Sequence, residues 1–298
     1  MNVVVVGGAG FIGSHLVDRL VADGEAVDVV DDLSHGSLGN LADARAMVGT
    51  LKIHHLDAGA AEFTSLIGMR RPDVVYHLAA IPRGRPSPAA LAAAFTTTIN
   101  VLQAARTHRV DKIVVALPAS ALYGRPAARD LPIKEVALEP RGVRGVVARA
   151  TVDVLSAFRE HDAVEFTALA LATVYGPRQR PDGGVVAALR AAAAERRAPT
   201  ITGDGRQTRD FVFIDDTVDA LTKAGTRGSG LVINVGTGEQ TPINTLWNGI
   251  AGPGAIAPDY VSADPTEVSR FAVSPVRARI HLSWSPWTSL ADGLAQQR

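Results

Sequence analysis

Short apolar runs alternate with longer amphipathic ones along the first half of the chain. The runs Val3–Val6, Ala26–Val30, Leu51–His54, Val74–Leu78, Ile113–Leu117 and Phe166–Leu171 have strand length and end in turn residues. Between them apolar residues recur at helical spacing, as at Leu16, Val17 and Leu20, and through Ala89–Thr107 and Gly145–Arg159. Strands that are apolar at every position are buried on both faces. Their alternation with helices predicts an α/β fold, a doubly wound parallel sheet with helices on each side. After Tyr175-Gly176-Pro177 the texture changes. Pro181-Asp-Gly-Gly184, Gly203-Asp-Gly205 and Gly252-Pro-Gly254 punctuate the chain there. This predicts a first domain over residues 1–174 and a smaller, mainly substrate-binding lobe over 175–298. Two strands, Phe211–Ile214 and Leu231–Val235, are expected to return to the sheet. Ala191–Ala194 reads as helix interior, and Trp284 and Trp287 as core.

The first strand runs into Gly7-Gly8-Ala9-Gly10-Phe11-Ile12-Gly13 and then a helix. Gly8, Gly10 and Gly13 have the G-x-G-x-x-G spacing, and Gly7, Gly10 and Gly13 fit as well. Such a turn lets a diphosphate approach bare backbone. The helix that starts near Phe11 aims its unpaired N–H groups and positive dipole end at the phosphates. The strand–turn–helix context makes this a Rossmann-type dinucleotide site rather than a chance glycine pattern. Asp31 ends the second strand at a distance suited to the adenosine ribose hydroxyls, and its charge would repel a 2′-phosphate. The next residues are Asp32-Leu33-Ser34-His35, with no arginine among them. NAD is therefore expected rather than NADP. Asp57, after the third strand, is a candidate for the adenine amino group or a helix cap.

Composition narrows the partners. In 298 residues, Lys+Arg and Asp+Glu are both 30, so no net charge draws the chain to nucleic acid or anionic lipid. Cysteine is absent, which excludes disulfides, thiolate metal sites and a cysteine nucleophile. The eight histidines show no metal-ligand spacing. No stretch has the ~20 apolar residues of a membrane span, and Val3–Val6 is too short for a signal peptide. A cytoplasmic protein is expected.

Several further blocks carry a resemblance. They are Asp31-Asp-Leu-Ser34, Pro72-Asp-Val-Val-Tyr-His-Leu-Ala-Ala80, Val174-Tyr-Gly-Pro-Arg-Gln179 and Gly203-Asp-Gly-Arg-Gln-Thr-Arg-Asp-Phe-Val-Phe-Ile-Asp-Asp216. With the glycine turn they resemble the extended short-chain dehydrogenase/reductases, and within them the NAD-dependent nucleotide-sugar epimerases and dehydratases of the UDP-glucose 4-epimerase type. The resemblance runs nearly end to end. It implies that Gly7, Gly10, Phe11, Ile12, Gly13, Asp31, Asp32, Asp57 and the segment Leu78-Ala79-Ala80 meet NAD. It implies that Arg209 grips the diphosphate of a UDP- or dTDP-sugar. Arg83 and Arg85, on a proline-rich loop expected to face the site, are candidates to hold phosphate or are simply solvated. It also implies a homodimer through the helices Ala89–Thr107 and Gly145–Arg159.

The catalytic half departs from the pattern. The resemblance implies a tyrosine base, a lysine four residues later on the same helix face, and a nearby serine. The lysine lowers the tyrosine pKa so that the phenolate can take a hydroxyl proton as hydride leaves. Ala80, Ala127, Gln179 and Asp264 stand four residues after Tyr76, Tyr123, Tyr175 and Tyr260. No Tyr-x-x-x-Lys exists. Arg144 takes the tyrosine position, Ala148 the lysine position and Ala119 the serine position, with Ser120 beside it. Arginine stays protonated to a pH above ~12 and is a poor base. Two readings follow. Either the acid–base group has moved, with Ser120, Tyr123, His77 or Arg144 as candidates, or the chain binds its ligands without turning them over.

Overall fold

The computed structural model describes residues 1–82, 86–135, 139–253, 255–263 and 268–296. Among the described residues up to Leu171 lie six strands: β1 (Asn2–Val6), β2 (Ala26–Asp31), β3 (Thr50–His55), β4 (Val74–His77), β5 (Lys112–Pro118) and β6 (Glu165–Leu171). With Leu231–Val235 they form one seven-stranded sheet in the order Leu231–Val235, β6, β5, β4, β1, β2, β3. Every pairing in it is parallel.

The residue alternation explains the continuous apolar strands. Val3 and Val5 of β1 join the core under the helices Phe11–Ala22 and Ile214–Ala224, while Val4 and Val6 join the core on the opposite face. On that second face the helix Pro88–His108 packs between Ala61–Arg70 and Gly142–Asp162. The chain builds outward from β1 through β2 to β3, then restarts at β4 and builds the other way. The crevice between the carboxyl ends of β1 and β4 is the switch point where ligands of open α/β sheets bind.

One returning strand is as expected and the other is not. Leu231–Val235 pairs with β6. Phe211–Phe213 instead pairs with Thr173–Tyr175 in a separate two-stranded sheet, and Ile214 already begins a helix. The outer edge of β6 is taken by Leu231–Val235, so Phe211 lies against the chain that continues past it. Asp210 fixes this junction. Its buried carboxylate accepts hydrogen bonds from the amides of Thr237, Gly238 and Val273 and from the Thr237 hydroxyl.

The acidic pair Asp215-Asp216 opens the Ile214–Ala224 helix, where acidic residues suit the dipole. The Asp216 carboxylate also accepts from the amides of Trp287 and Thr288. That grip holds the backbone at Trp287 and leaves its indole outside, 59% exposed, so Trp287 is not a core residue. Trp284 is buried and donates to the Asp216 carbonyl. Among the described residues no helix is long and apolar enough to cross a membrane.

Candidate functional site

The glycine turn is built by close backbone contact. Gly7 has φ +80°, and its amide donates to Val30 O at 2.8 Å, tying β1 to β2. A Cβ on Gly8 would lie 2.9 Å from Val29 Cγ1, so helix and sheet could not approach. A Cβ on Gly13 would lie 2.1 Å from Gly7 O and 2.7 Å from Gly8 Cα. Gly10 differs. Its φ of −76° is open to any residue, and a Cβ there would meet only Gly7 O, at 3.2 Å. The fold does not require glycine at that position, and its absent side chain leaves the turn bare on that side. The helix Phe11–Ala22 starts here with no side-chain cap and no acidic residue in its first turn. Its first amides therefore point at the crevice, as an anion site requires.

Asp31 ends β2 and Asp32 follows it. Asp31 is buried, and its two oxygens accept from the amides of Ala9 and Leu33 at 2.8 and 2.9 Å. A carboxylate has about four acceptor positions, so the same group can hold the glycine turn and still accept ribose hydroxyls. Burial opposes the charge on Asp32, but the hydroxyl and amide of Ser34 hold its carboxyl below the usual range. Asp57 accepts from the Gly59 amide at 2.7 Å, a cap-like contact at the turn after β3. Leu78 donates to Val6 O, and Ala79 packs 3.5 Å from where a Gly7 Cβ would stand. The structure thus brings the Gly7, Gly10 and Gly13 turn against Leu78-Ala79 and ties it through Ala9 to Asp31; for Phe11, Ile12, Asp32 and Ala80 it shows, relative to that turn, only their places on the adjoining segments.

A separate cavity of about 280 Å³ is bordered by Ser120, Arg141, Arg144, Arg209 and Phe271 among others. Gly145 lets the Gly142–Asp162 helix seat against the turn that carries Ser120. A Cβ on Gly145 would lie 2.9 Å from Ala121 O and 3.0 Å from Pro140 Cβ. Arg144, one residue earlier, borders the same cavity as Ser120. Arg209 donates to Thr208 O at 2.8 Å and reaches the same cavity. The other candidates are elsewhere. Ala119 and Ala148 are fully buried. Tyr123 is buried and donates its hydroxyl to Asn234 Oδ1 at 2.7 Å, and burial pushes its pKa up. Arg83 and Arg85 lie outside the described residues. Sequence reasoning missed Arg141. The available signal was its i, i+3 spacing from Arg144 at the start of a helix.

Residues 3–236 match the NAD dependent epimerase/dehydratase family. The chain belongs to this family. It is 38% identical to the UDP-glucose 4-epimerase of Mycolicibacterium smegmatis, across 99% of this chain and 97% of that one. The UDP-glucose 4-epimerase of Thermotoga maritima, solved with UDP-glucose, superposes with a TM-score of 0.91 at 31% identity, over 100% of this chain and 97% of its own. That of Thermus thermophilus, solved with NAD, gives 0.88 at 26%, over 100% and 97%. The cofactor of the epimerase/dehydratase family is NAD, and the bare face of Gly10 with the uncapped helix behind it fits the pyrophosphate of that molecule. Among the described residues no group of three His, Cys, Asp or Glu side chains could hold a metal.

His77, at the end of β4, is fully buried. The Thr98 hydroxyl donates to Ala94 O, so it accepts from His77 Nε2 at 3.0 Å. The proton therefore sits on Nε2, and Nδ1 is a buried acceptor with no partner among the described residues. Burial depresses the pKa to about 4. Unfolded, the ring takes a proton below about 6.5. Stability is full above that value and is lost as pH falls toward the folded value, because the unfolded state then binds more protons. The loss is expected to be about 3 kcal/mol between these limits. Urea unfolding across this range checks it, since His77→Leu should remove that part of the slope.

Proposed function

We propose that this chain binds NAD and a nucleoside-diphosphate sugar in the manner of its family, without the phenol–ammonium couple that drives the family's chemistry. One observation carries this reading. The cavity where a sugar would meet the nicotinamide is bordered by Arg144, while Ala148 lies in the core behind it. When bound, NAD supplies a hydride acceptor. The chain's own part would be to take a hydroxyl proton as the hydride leaves. Among the described lining residues there is no carboxylate, imidazole, phenol or amine.

The Ser120 hydroxyl is exposed toward the cavity but has no base beside it among those residues. Tyr123 and His77 are buried and bonded away from it. A ligand-binding subunit, regulatory or partner-directed, fits this arrangement better than a displaced active site. Calorimetry is expected to show NAD binding well ahead of NADP, because Asp31 would face the 2′-phosphate, and UDP-sugar binding to the NAD-loaded protein. Inversion or dehydration of the bound sugar, followed by NMR, is expected to be absent. Failure to bind either ligand would overturn the reading, and so would rapid turnover.

A further inference from the structure

The chain that leaves Thr173–Tyr175 folds directly onto the helix Phe11–Ala22 and is held there along three turns. Gly176 lies over the helix start: a Cβ on it would stand 2.4 Å from Ile214 Cγ2 and 3.5 Å from Phe11 Cε2. His15 donates from Nε2 to Pro177 O at 3.1 Å. Arg178 Nη1 lies 2.7 Å from Asp18 Oδ2, with both side chains partly buried, and its Nη2 donates to Asp43 on the short helix Ala42–Ala46. Arg178 has φ +62°, left-handed backbone that favours glycine. An arginine is strained there where a glycine would not be, and its two carboxylate partners offset that strain.

Asp43 belongs to a segment that covers the glycine turn. The Ser37 amide donates to Ala9 O at 3.0 Å, and Asn40 Nδ2 donates to the same oxygen at 2.9 Å. A Cβ on Gly36 would lie 2.8 Å from Asp31 Oδ1 and 2.9 Å from Ala9 C. The segment Gly36–Ala46 thus lies on the turn and on the carboxylate suited to the adenosine ribose. Through one side chain, Arg178 joins this segment to the helix Phe11–Ala22 and to the chain beyond Tyr175.

We propose that Arg178 is a clasp that keeps the Gly36–Ala46 segment closed over the adenosine half of NAD and so sets how fast the cofactor leaves. The clasp rests on the cofactor half of the reading above and not on its sugar half. NAD exchange then requires Asp43 to part from the guanidinium while Asp18 keeps it in place. Such a tie acts on release more than on encounter. Arg178 works through the segment and is a positioning residue.

The test is stopped-flow release of NADH from the loaded full chain, read by nicotinamide fluorescence after mixing with excess NAD. Arg178→Gly suits φ +62° and removes both ion pairs, and is expected to release NADH about tenfold faster. Its association rate, and the unfolding temperature of the ligand-free protein, should stay near those of the unmodified chain. Asp43→Ala should speed release about threefold, the worth of one exposed ion pair. The Asp43 side chain is 70% exposed, so this variant serves if Arg178→Gly does not fold. Adding Asp43→Ala to Arg178→Gly should change nothing further, because the partner is already gone. Salt should hasten release from the unmodified protein and not from Arg178→Gly. Unchanged release in either variant would overturn the clasp. So would faster release from Asp43→Ala with a matching loss of thermal stability, the mark of a merely structural tie. An unmodified chain that binds no NADH would sink the cofactor assignment and the clasp with it.

Discussion

Gly13→Ala is expected to lose NAD and stability together, whereas Gly10→Ala loses NAD and keeps its stability. The two glycines are three residues apart but answer to different constraints. At Gly13 an added methyl would sit 2.1 Å from Gly7 O and 2.7 Å from Gly8 Cα, both backbone atoms that cannot swing aside. The turn or the helix must move, and overpacking of this kind costs about 1–3 kcal/mol or more. Any such shift also displaces the amides aimed at the diphosphate. At Gly10 the backbone is ordinary, and the methyl meets one carbonyl at 3.2 Å, a contact relieved by a few tenths of an ångström. The same methyl otherwise meets open space, which on the proposed reading is where the diphosphate lies. Thermal unfolding and NAD titration of the two variants should therefore separate. Loss of stability in Gly10→Ala with unchanged NAD affinity would contradict the assignment of the crevice.

The second large effect is a gain. The triple change Ala119→Ser, Arg144→Tyr, Ala148→Lys is expected to create hydride transfer from bound UDP-glucose. Positioned acid–base groups contribute about 10²–10⁴-fold. They act as a unit, so each single reversion should give almost nothing. Positions 144 and 148 lie one turn apart on the Gly142–Asp162 helix, so the new phenol and ammonium share a face. Ala119 and Ala148 are fully buried, so thermal unfolding must accompany the kinetics to separate misfolding from lack of chemistry. A folded triple variant with no NADH band and no altered sugar would contradict the view that these three positions hold the missing function.

The parts of the molecule set by local pattern were legible before the structure. β1 to β6 lie within a residue or two of the apolar runs; all but the partly exposed edge strand β3 are largely buried on both faces, which leaves little polar alternation to blur their ends. The glycine turn was legible because each glycine answers a local demand. Phe211–Phe213 was misplaced because its residue types suit any strand. Its partner was decided by competition for the edge of β6, which is a tertiary fact. Trp287 was misjudged for a similar reason: Asp216 holds its backbone, so its side chain did not choose the site. That no lysine stands four residues after any tyrosine could be read directly from the chain. The gathering of Arg141, Arg144, Arg209 and Ser120 about one cavity could not, since it depends on how closely Gly145 lets two segments approach.

The most direct test is a single-turnover experiment on the unmodified, NAD-loaded protein, mixed with an excess of UDP-glucose, UDP-galactose or UDP-glucuronate and followed in the near-ultraviolet. The account predicts a flat trace and recovery of the starting sugar under conditions where calorimetry registers binding. A transient reduced-nicotinamide band, or an inverted or dehydrated sugar, would contradict it.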